Sequence, residues 1–247
     1  MGSEMCIRDS GMAVADIDDD GDQDLFLAGA AGRAGQMLIE EDDEFYTQFG
    51  GPWQTDAHCE DMGALFFDAD ADGDVDLYVV SGGVECEPGD EVLQDRLYLN
   101  DGAGEFSKAP SGTLPPTLSS GSIVTTNDFD RDGDLDLYVG GRVIPGQYPL
   151  AAQSFLLRND DGKFTDVAAE VSGLQQSGLV TSAVWSDVDA DGWSDLLVTH
   201  EWGSTKLFHN KQGQLVDQTS AAGLVSHVGW YNSLAASYTH LTLPTKA

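Results

Sequence analysis

The chain has 247 residues, 43 acidic against 11 basic, for a net charge of −32. Such a surface repels nucleic acids and anionic membranes, which are both polyanions, and no apolar run approaches the roughly 20 residues that span a bilayer. Acidity of this strength can signal disorder, but here the apolar residues fall in short, regular blocks separated by turn residues.

The two ends are related through the genetic code. One codon choice for Met5-Cys6-Ile7-Arg8 has a reverse complement that reads Ser-Tyr-Thr-His, the residues Ser237 to His240. Both stretches resemble a sequencing adapter translated on opposite strands. Residues 1–10 and 237–247 are therefore expected to be adapter-like artefact, and the fold is read from residues 11–236, with more protein sequence expected on either side. That interval holds two cysteines, Cys59 and Cys86.

In chain order, each block opens with a short apolar run: Met12–Ala15, Ala64–Phe67, Ile123–Thr126 and Ala183–Ser186. An acidic segment of the form Asp-x-Asp-x-Asp-Gly-x-x-Asp-Leu follows each one. These segments start at Asp16, Asp68, Asp128 and Asp187, spaced 52, 60 and 59 residues apart. A second apolar run comes next: Leu25–Leu27, Leu77–Val80, Leu137–Val139 and Leu196–Val198. A third follows a variable connection: Met37–Ile39, Arg96–Leu99, Phe155–Leu157 and Lys206–Phe208. Turns such as Asn100–Gly104 and Asn159–Gly162 then lead to a fourth; Asn, Asp and Gly tolerate the positive φ that hairpins need. Runs this short and this apolar predict strands buried on both faces.

A repeat of four antiparallel strands with buried inner strands describes a propeller blade. The expectation is an all-β, β-propeller fragment of about four blades, at residues 11–60, 61–120, 121–178 and 179–228, with the start of a fifth at 229–236. Propellers typically have 4–8 blades, so this is read as an arc of a larger ring.

The Asp segments carry the chemistry. Positions one, three, five and nine are Asp16, Asp18, Asp20 and Asp24; Asp68, Asp70, Asp72 and Asp76; Asp128, Asp130, Asp132 and Asp136; and Asp187, Asp189, Asp191 and Asp195. Alternating side chains on a tightly curled loop converge on one point. Glycine at position six (Gly21, Gly73, Gly133, Gly192) permits the curl. The carbonyl at position seven (Asp22, Asp74, Asp134, Trp193) offers one more oxygen. Hard oxygen donors in a flexible loop suit Ca²⁺, whereas Mg²⁺ demands a stricter octahedron with fewer carboxylates. Two carboxylates about 4 Å apart repel by roughly 4 kcal/mol at a near-surface dielectric, so such a loop calls for a cation. An EF-hand would require a bidentate Glu at position twelve, where this chain has Leu27, Val79, Val139 and Val198.

These loops, with Leu97 to Phe106 (Leu-Tyr-Leu-Asn-Asp-Gly-x-Gly-x-Phe) after them, resemble the FG-GAP/VCBS-type repeats of integrin-α-like propellers. Ser154 to Asn159, Gly162 to Val167 and Gly229 to Ser233 look like the branch that carries an ASPIC/UnbV domain, related to cartilage acidic protein. The resemblance implies about four structural calcium sites in the first hairpin of each blade and an adhesion-like role.

Extracellular calcium modules bind at about 10⁻⁴ to 10⁻³ M, so the expected compartment is extracellular: secreted, cell-surface or periplasmic. Cys59 and Cys86 flank the second Asp loop almost symmetrically, which leaves open a disulfide between them or two unpaired thiols. A protein or glycan ligand is expected on the face opposite the calcium loops, where connections 82–95 and 141–153 and linkers 50–60 and 109–121 gather. The alternative is a non-catalytic part of, or an active-site scaffold for, a secreted carbohydrate-active enzyme. No catalytic set stands out: His200-Glu201 lacks the second His of a zinc site, and His58-Cys59-Glu60-Asp61 reads as surface polar residues. Trp185, Trp193, Trp202 and Trp230 read as packing or loop-anchoring residues rather than as a sugar platform.

Overall fold

The computed structural model describes residues 11–235; residues 1–10 and 236–247, including the adapter-like ends and the last residue of the expected fifth blade, lie outside the described residues. Four antiparallel four-stranded sheets follow one another along the chain. The first contains β1 (Met12–Ala15), β2 (Asp24–Leu27), β3 (Gln36–Glu41) and β4 (Glu44–Gln48). The second contains β5 (Glu60–Phe67), β6 (Asp76–Gly82), β7 (Arg96–Asn100) and β8 (Phe106–Lys108). The third contains β9 (Gly121–Asn127), β10 (Asp136–Gly141), β11 (Phe155–Asp160) and β12 (Lys163–Asp166). The fourth contains β13 (Leu179–Ser186), β14 (Asp195–Glu201), β16 (Lys206–Asn210) and β17 (Leu215–Asp217). A separate two-stranded ribbon pairs β15 (Gly203–Ser204) with β18 (Val228–Gly229).

Each sheet is a simple meander, and the first strands of successive sheets neighbour one another. This is the blade arrangement the repeat predicts, without ring closure among the described residues. The core lies between blades. Phe26, Met37 and Trp53 of the first blade meet Leu77, Val79 and Tyr98 of the second. Tyr78, Val80 and Leu97 of the second meet Leu137, Val139 and Phe155 of the third. Tyr138 and Leu156 of the third meet Val180, Leu196 and Phe208 of the fourth. The alternation is physical: successive side chains of a strand point to opposite faces, so Leu77 and Val79 serve one neighbour and Tyr78 and Val80 the other. β6 and β10 are buried along their whole length.

The opening strands depart from the expectation. β1 is only partly buried, with Met12 58% exposed. β5, β9 and β13 also begin earlier than their apolar runs, at Glu60, Gly121 and Leu179. In β5 and β9 the first residues Glu60, Asp61, Gly121 and Ser122 are polar or small, whereas in β13 they are the buried Leu179 and Val180; register irregularities at Asp61/Gly63 and Val180/Ser182 separate the early stretches from the runs that follow.

The two cysteines are both free, so the disulfide is not formed. The register explains why: β5 and β6 pair Glu60 with Gly82, which brings Cys59 level with Gly83. Cys86 lies three residues further on, roughly 10 Å of extended chain, in a bend after β6 has ended. Nor is Asp61 part of a polar surface cluster. It is buried, pairs with Arg96 at 2.5 Å and accepts the Gly29 N–H at 2.7 Å.

Of the tryptophans, Trp185 behaves as expected, buried and stacked on Phe129 with centroids 6.2 Å apart. Trp202 and Trp230 are exposed instead. Of the expected fifth blade, Gly229 belongs to β18, and Trp230 to Ala235 form no strand.

Candidate metal centres in the four Asp loops

Loops 1 to 4 connect β1–β2, β5–β6, β9–β10 and β13–β14, and they share one backbone design. Position four is left-handed in each, with φ of 60° at Asp19, 60° at Ala71, 64° at Arg131 and 62° at Ala190. Glycine at position six follows with φ of 99°, 99°, 107° and 92°. The two left-handed residues fold the loop back on itself, so the side chains of positions one, three and nine meet. Carboxylate oxygens of Asp16, Asp18 and Asp24 lie within 4.8 Å of one another, as do those of Asp68, Asp70 and Asp76; of Asp128, Asp130 and Asp136; and of Asp187, Asp189 and Asp195.

Each carboxylate has a distinct task. Position nine is buried in every loop and ties two strands together. Asp76 accepts the Ala69 N–H at 2.9 Å and the Asn100 N–H at 2.8 Å; Asp136 does the same for Phe129 and Asn159 at 3.1 and 2.9 Å. Position one accepts the glycine N–H with one oxygen, at 3.0 Å for Asp16, 3.1 Å for Asp68 and 3.2 Å for Asp128. Position five caps the turn: Asp20, Asp72, Asp132 and Asp191 each accept the N–H of position seven at 2.8–3.0 Å. Position five stays beside position three: the charges of Asp20, Asp72 and Asp132 help raise Asp18, Asp70 and Asp130, and Asp191 lies within 4.8 Å of Asp189 and His209. The side chains at position seven lie elsewhere: Asp134 accepts the Asp161 N–H at 2.8 Å, and Trp193 carries Arg131 over its ring at 3.9 Å.

What remains is a set of orphaned acceptors. The Oδ1 atoms of Asp16, Asp18, Asp68, Asp128 and Asp130 are buried without any hydrogen-bond donor. A buried polar atom with no partner is costly, and these five are anionic oxygens aimed into carboxylate clusters. Burial, and then neighbouring carboxylates, push Asp18 and Asp70 above the usual aspartate range; burial does the same for Asp130. Burial lifts Asp76 to about 6 and Asp136 to about 7. A hard divalent cation satisfies all of these conditions at once, and the all-oxygen donor set fits Ca²⁺.

Loop 4 differs. Both oxygens of Asp187 have donors, Asp191 N–H at 3.2 Å and Gly192 N–H at 2.9 Å. His209 on β16 places Nδ1 2.8 Å from Asp195 Oδ1 and 3.6 Å from Asp189 Oδ2. The same register position holds Ile39, Leu99 and Arg158 in the other blades, and Arg158 reaches Asp160 instead.

One set of residues escaped the sequence reading as site components. Asn100, Asn159 and Asn210, at or next to the end of the third strand of blades two to four, each donate Nδ2–H at 2.8 Å to the position-two carbonyl of the preceding loop: Ile17, Ala69 and Phe129. Gly162 and Gly213 then sit directly on Asp70 and Asp130 of the preceding loop. Loops 1 to 3 are thus each clasped by the next blade. The signal was present, an Asn at the same place in three repeats, but hairpin-turn chemistry accounted for it equally well.

Residues 68–139 match the family model for the FG-GAP-like repeat. No curated protein matches the chain. Among solved structures it is similar to the V. cholerae biofilm matrix protein Bap1, at 12% identity and a TM-score of 0.39, over 83% of this chain and 38% of that one. It is also similar to the exotype rhamnogalacturonan lyase YesX, at 12% identity and a TM-score of 0.42, over 83% of this chain and 48% of the other. The chain spans less than half the length of either. At residues 68–139, which contain loops 2 and 3 whole, the chain carries FG-GAP-like repeat sequence.

Proposed function

We propose that this chain is an extracellular, calcium-binding β-propeller segment that serves as a binding or adhesion scaffold rather than as a catalyst. The five buried, donorless carboxylate oxygens of loops 1 to 3 carry the reading. Calcium in these loops neutralises carboxylates that otherwise repel, and through the asparagine clasp it stiffens the joint between one blade and the next. Loops tuned like other extracellular modules fill only where free calcium is near 10⁻⁴ to 10⁻³ M, which supports a compartment outside the cytosol. Recognition then belongs to the opposite face, where the longer connections lie on a rigid frame.

At ten times Kd each occupied site adds about 1.4 kcal/mol by mass action. Three such sites supply about 4 kcal/mol of a margin that is typically about 5–15 kcal/mol. Thermal melting in millimolar calcium against excess chelator tests this. The expected drop on chelation is about 8–16 °C for a domain of this size; an unchanged melting temperature contradicts a structural role for the ions.

A further inference from the structure

The β15–β18 ribbon builds a feature at the far end of the blades from the Asp loops. Gly203 pairs with Gly229 and Ser204 with Val228, so the antiparallel register sets Trp202 opposite Trp230. Their ring centroids are 4.8 Å apart with planes tilted 52°, yet the two residues remain 61% and 56% exposed. Tyr148, from the β10–β11 connection, is 60% exposed beside them. Its hydroxyl accepts the Trp202 Nε1–H at 2.8 Å and donates to Glu201 Oε1 at 2.9 Å. The other Glu201 oxygen pairs with Arg142, whose Nη1 is left without an acceptor.

The support beneath is rigid. His200 is buried, and its Nδ1 lies 2.9 Å from the Ser204 carbonyl. A Cβ on Gly178 or Gly203 would come within 2.9 Å of the His200 side chain, so both glycines make room for it. Burial pushes the imidazole down to about 4, so it is neutral at pH 7. Trp202 itself sits at φ 61°, a region few bulky residues occupy, and this turns its ring outward.

Exposed aromatic faces that are already locked in place lose little entropy on binding, and a few fixed polar groups beside them supply orientation. The apolar face of a pyranose ring fits such a surface, and the Glu201–Arg142 pair beneath it, with Glu201 buried, fixes Tyr148 in place. Glu201 and Arg142 cancel in charge, His200 is neutral, and the chain as a whole carries −32, which disfavours polyanions. Resting on the reading of this face as the recognition face, we propose that Tyr148, Trp202 and Trp230 form the platform of a glycan site, held from beneath by Glu201 and Arg142, and that its ligand is a neutral pyranose oligosaccharide.

The test is titration of the full chain in saturating calcium with the hexasaccharides of cellulose, mannan, chitin and amylose, and with trigalacturonate as the anionic arm, followed by calorimetry and tryptophan fluorescence. At least one neutral sugar is expected to bind. Trp202→Ala should weaken it about thirtyfold, and Tyr148→Phe about three- to tenfold through one lost hydrogen bond. Phe49→Ala, exposed in the first blade, should leave binding unchanged. If Trp202→Ala does not fold, Trp230→Ala replaces it with the same expected loss. Absence of binding by every neutral sugar, undiminished binding by the tryptophan variant, or tighter binding of trigalacturonate overturns the proposal. Calcium-dependent melting of the same samples separates the outcomes: a melting shift without sugar binding removes only the glycan site, and sugar binding without a melting shift removes only the calcium scaffold.

Discussion

Loops 3 and 4 carry the same ten-position pattern and the same backbone turn, yet they leave their carboxylates in different states. In loop 3 the Oδ1 atoms of Asp128 and Asp130 are buried with no donor, and the next blade closes over them through Asn210 and Gly213. In loop 4 Asp187 is fully served by backbone N–H groups, and His209 lies against Asp195 and Asp189. Arg131 also reaches from loop 3 to the Gly192 carbonyl and the Trp193 ring. Val188 is 48% exposed, at the edge of a cavity of about 340 Å³ that reaches His209 and Leu207. Two differences separate the loops: the next blade lies over loop 3 through Asn210 and Gly213 while none lies over loop 4 among the described residues, and only loop 4 has an imidazole beside its carboxylates. On the calcium reading proposed above, loops 1 to 3 hold the orphaned oxygens that call for the ion, while in loop 4 an imidazole from its own blade stands among the converging carboxylates.

The contrast can be broken by mutation, and the largest effect should come from the clasp. Asn159→Ala removes the bond to the Ala69 carbonyl and the acceptor for the Gly162 N–H; leaving these groups unpaired costs about 2–3 kcal/mol. Chemical denaturation in calcium checks this, and much of the loss should persist in chelator because these hydrogen bonds use none of the clustered carboxylates. Asp128→Ala should cost about 2 kcal/mol in calcium, from one lost ion and one lost cap, and markedly less in chelator. Asp187→Ala should show a smaller calcium-dependent part, and equal values for the two variants would erase the distinction between the loops.

His209→Leu, which installs the residue found at Leu99, sharpens the same comparison from the other side. Freed of the imidazole, loop 4 should gain about tenfold in calcium affinity, or about 1.4 kcal/mol, by calorimetry against the unmodified chain. The smallest effect is a slope in pH. Asp95 is buried and accepts from Ser81 N–H and Tyr78 O–H beside Arg96; burial lifts it to about 7. Its folded value lies above its unfolded one, so its contribution is complete below about pH 4 and is lost as pH rises through about 7, at no more than about 1.4 kcal/mol per pH unit. Asp76 and Asp136 titrate in the same window inside the loops, so the Asp95 part is read as the difference in slope between the unmodified chain and Asp95→Asn, and that difference should be the same with calcium or chelator.

The blades and loops were legible because both rest on local pattern. The unbroken apolar run Leu77 to Val80 marks a strand buried on both faces, and the Asp spacing with Gly73 or Gly133 marks a turn. The left-handed residues at position four were not legible, since Asp19, Ala71, Arg131 and Ala190 share no chemistry that announces positive φ. The imidazole at loop 4 depends on strand register between β14 and β16. The Trp202–Trp230 pair depends on a ribbon closed across some 25 residues of chain, so the sequence placed both rings in the packing when the structure exposes them. The cysteine pairing, left open by the sequence, turned on strand length: symmetry about loop 2 brings the two together only if β6 continues past Gly82, and it does not.

Calcium titration of chelator-stripped full-length chain by calorimetry addresses the central claim directly. Loops 1 to 3 should register as one class of three sites filling in the range of about 10⁻⁴ to 10⁻³ M, with loop 4 weaker or silent. No uptake in that range, or four equivalent sites, would contradict the account.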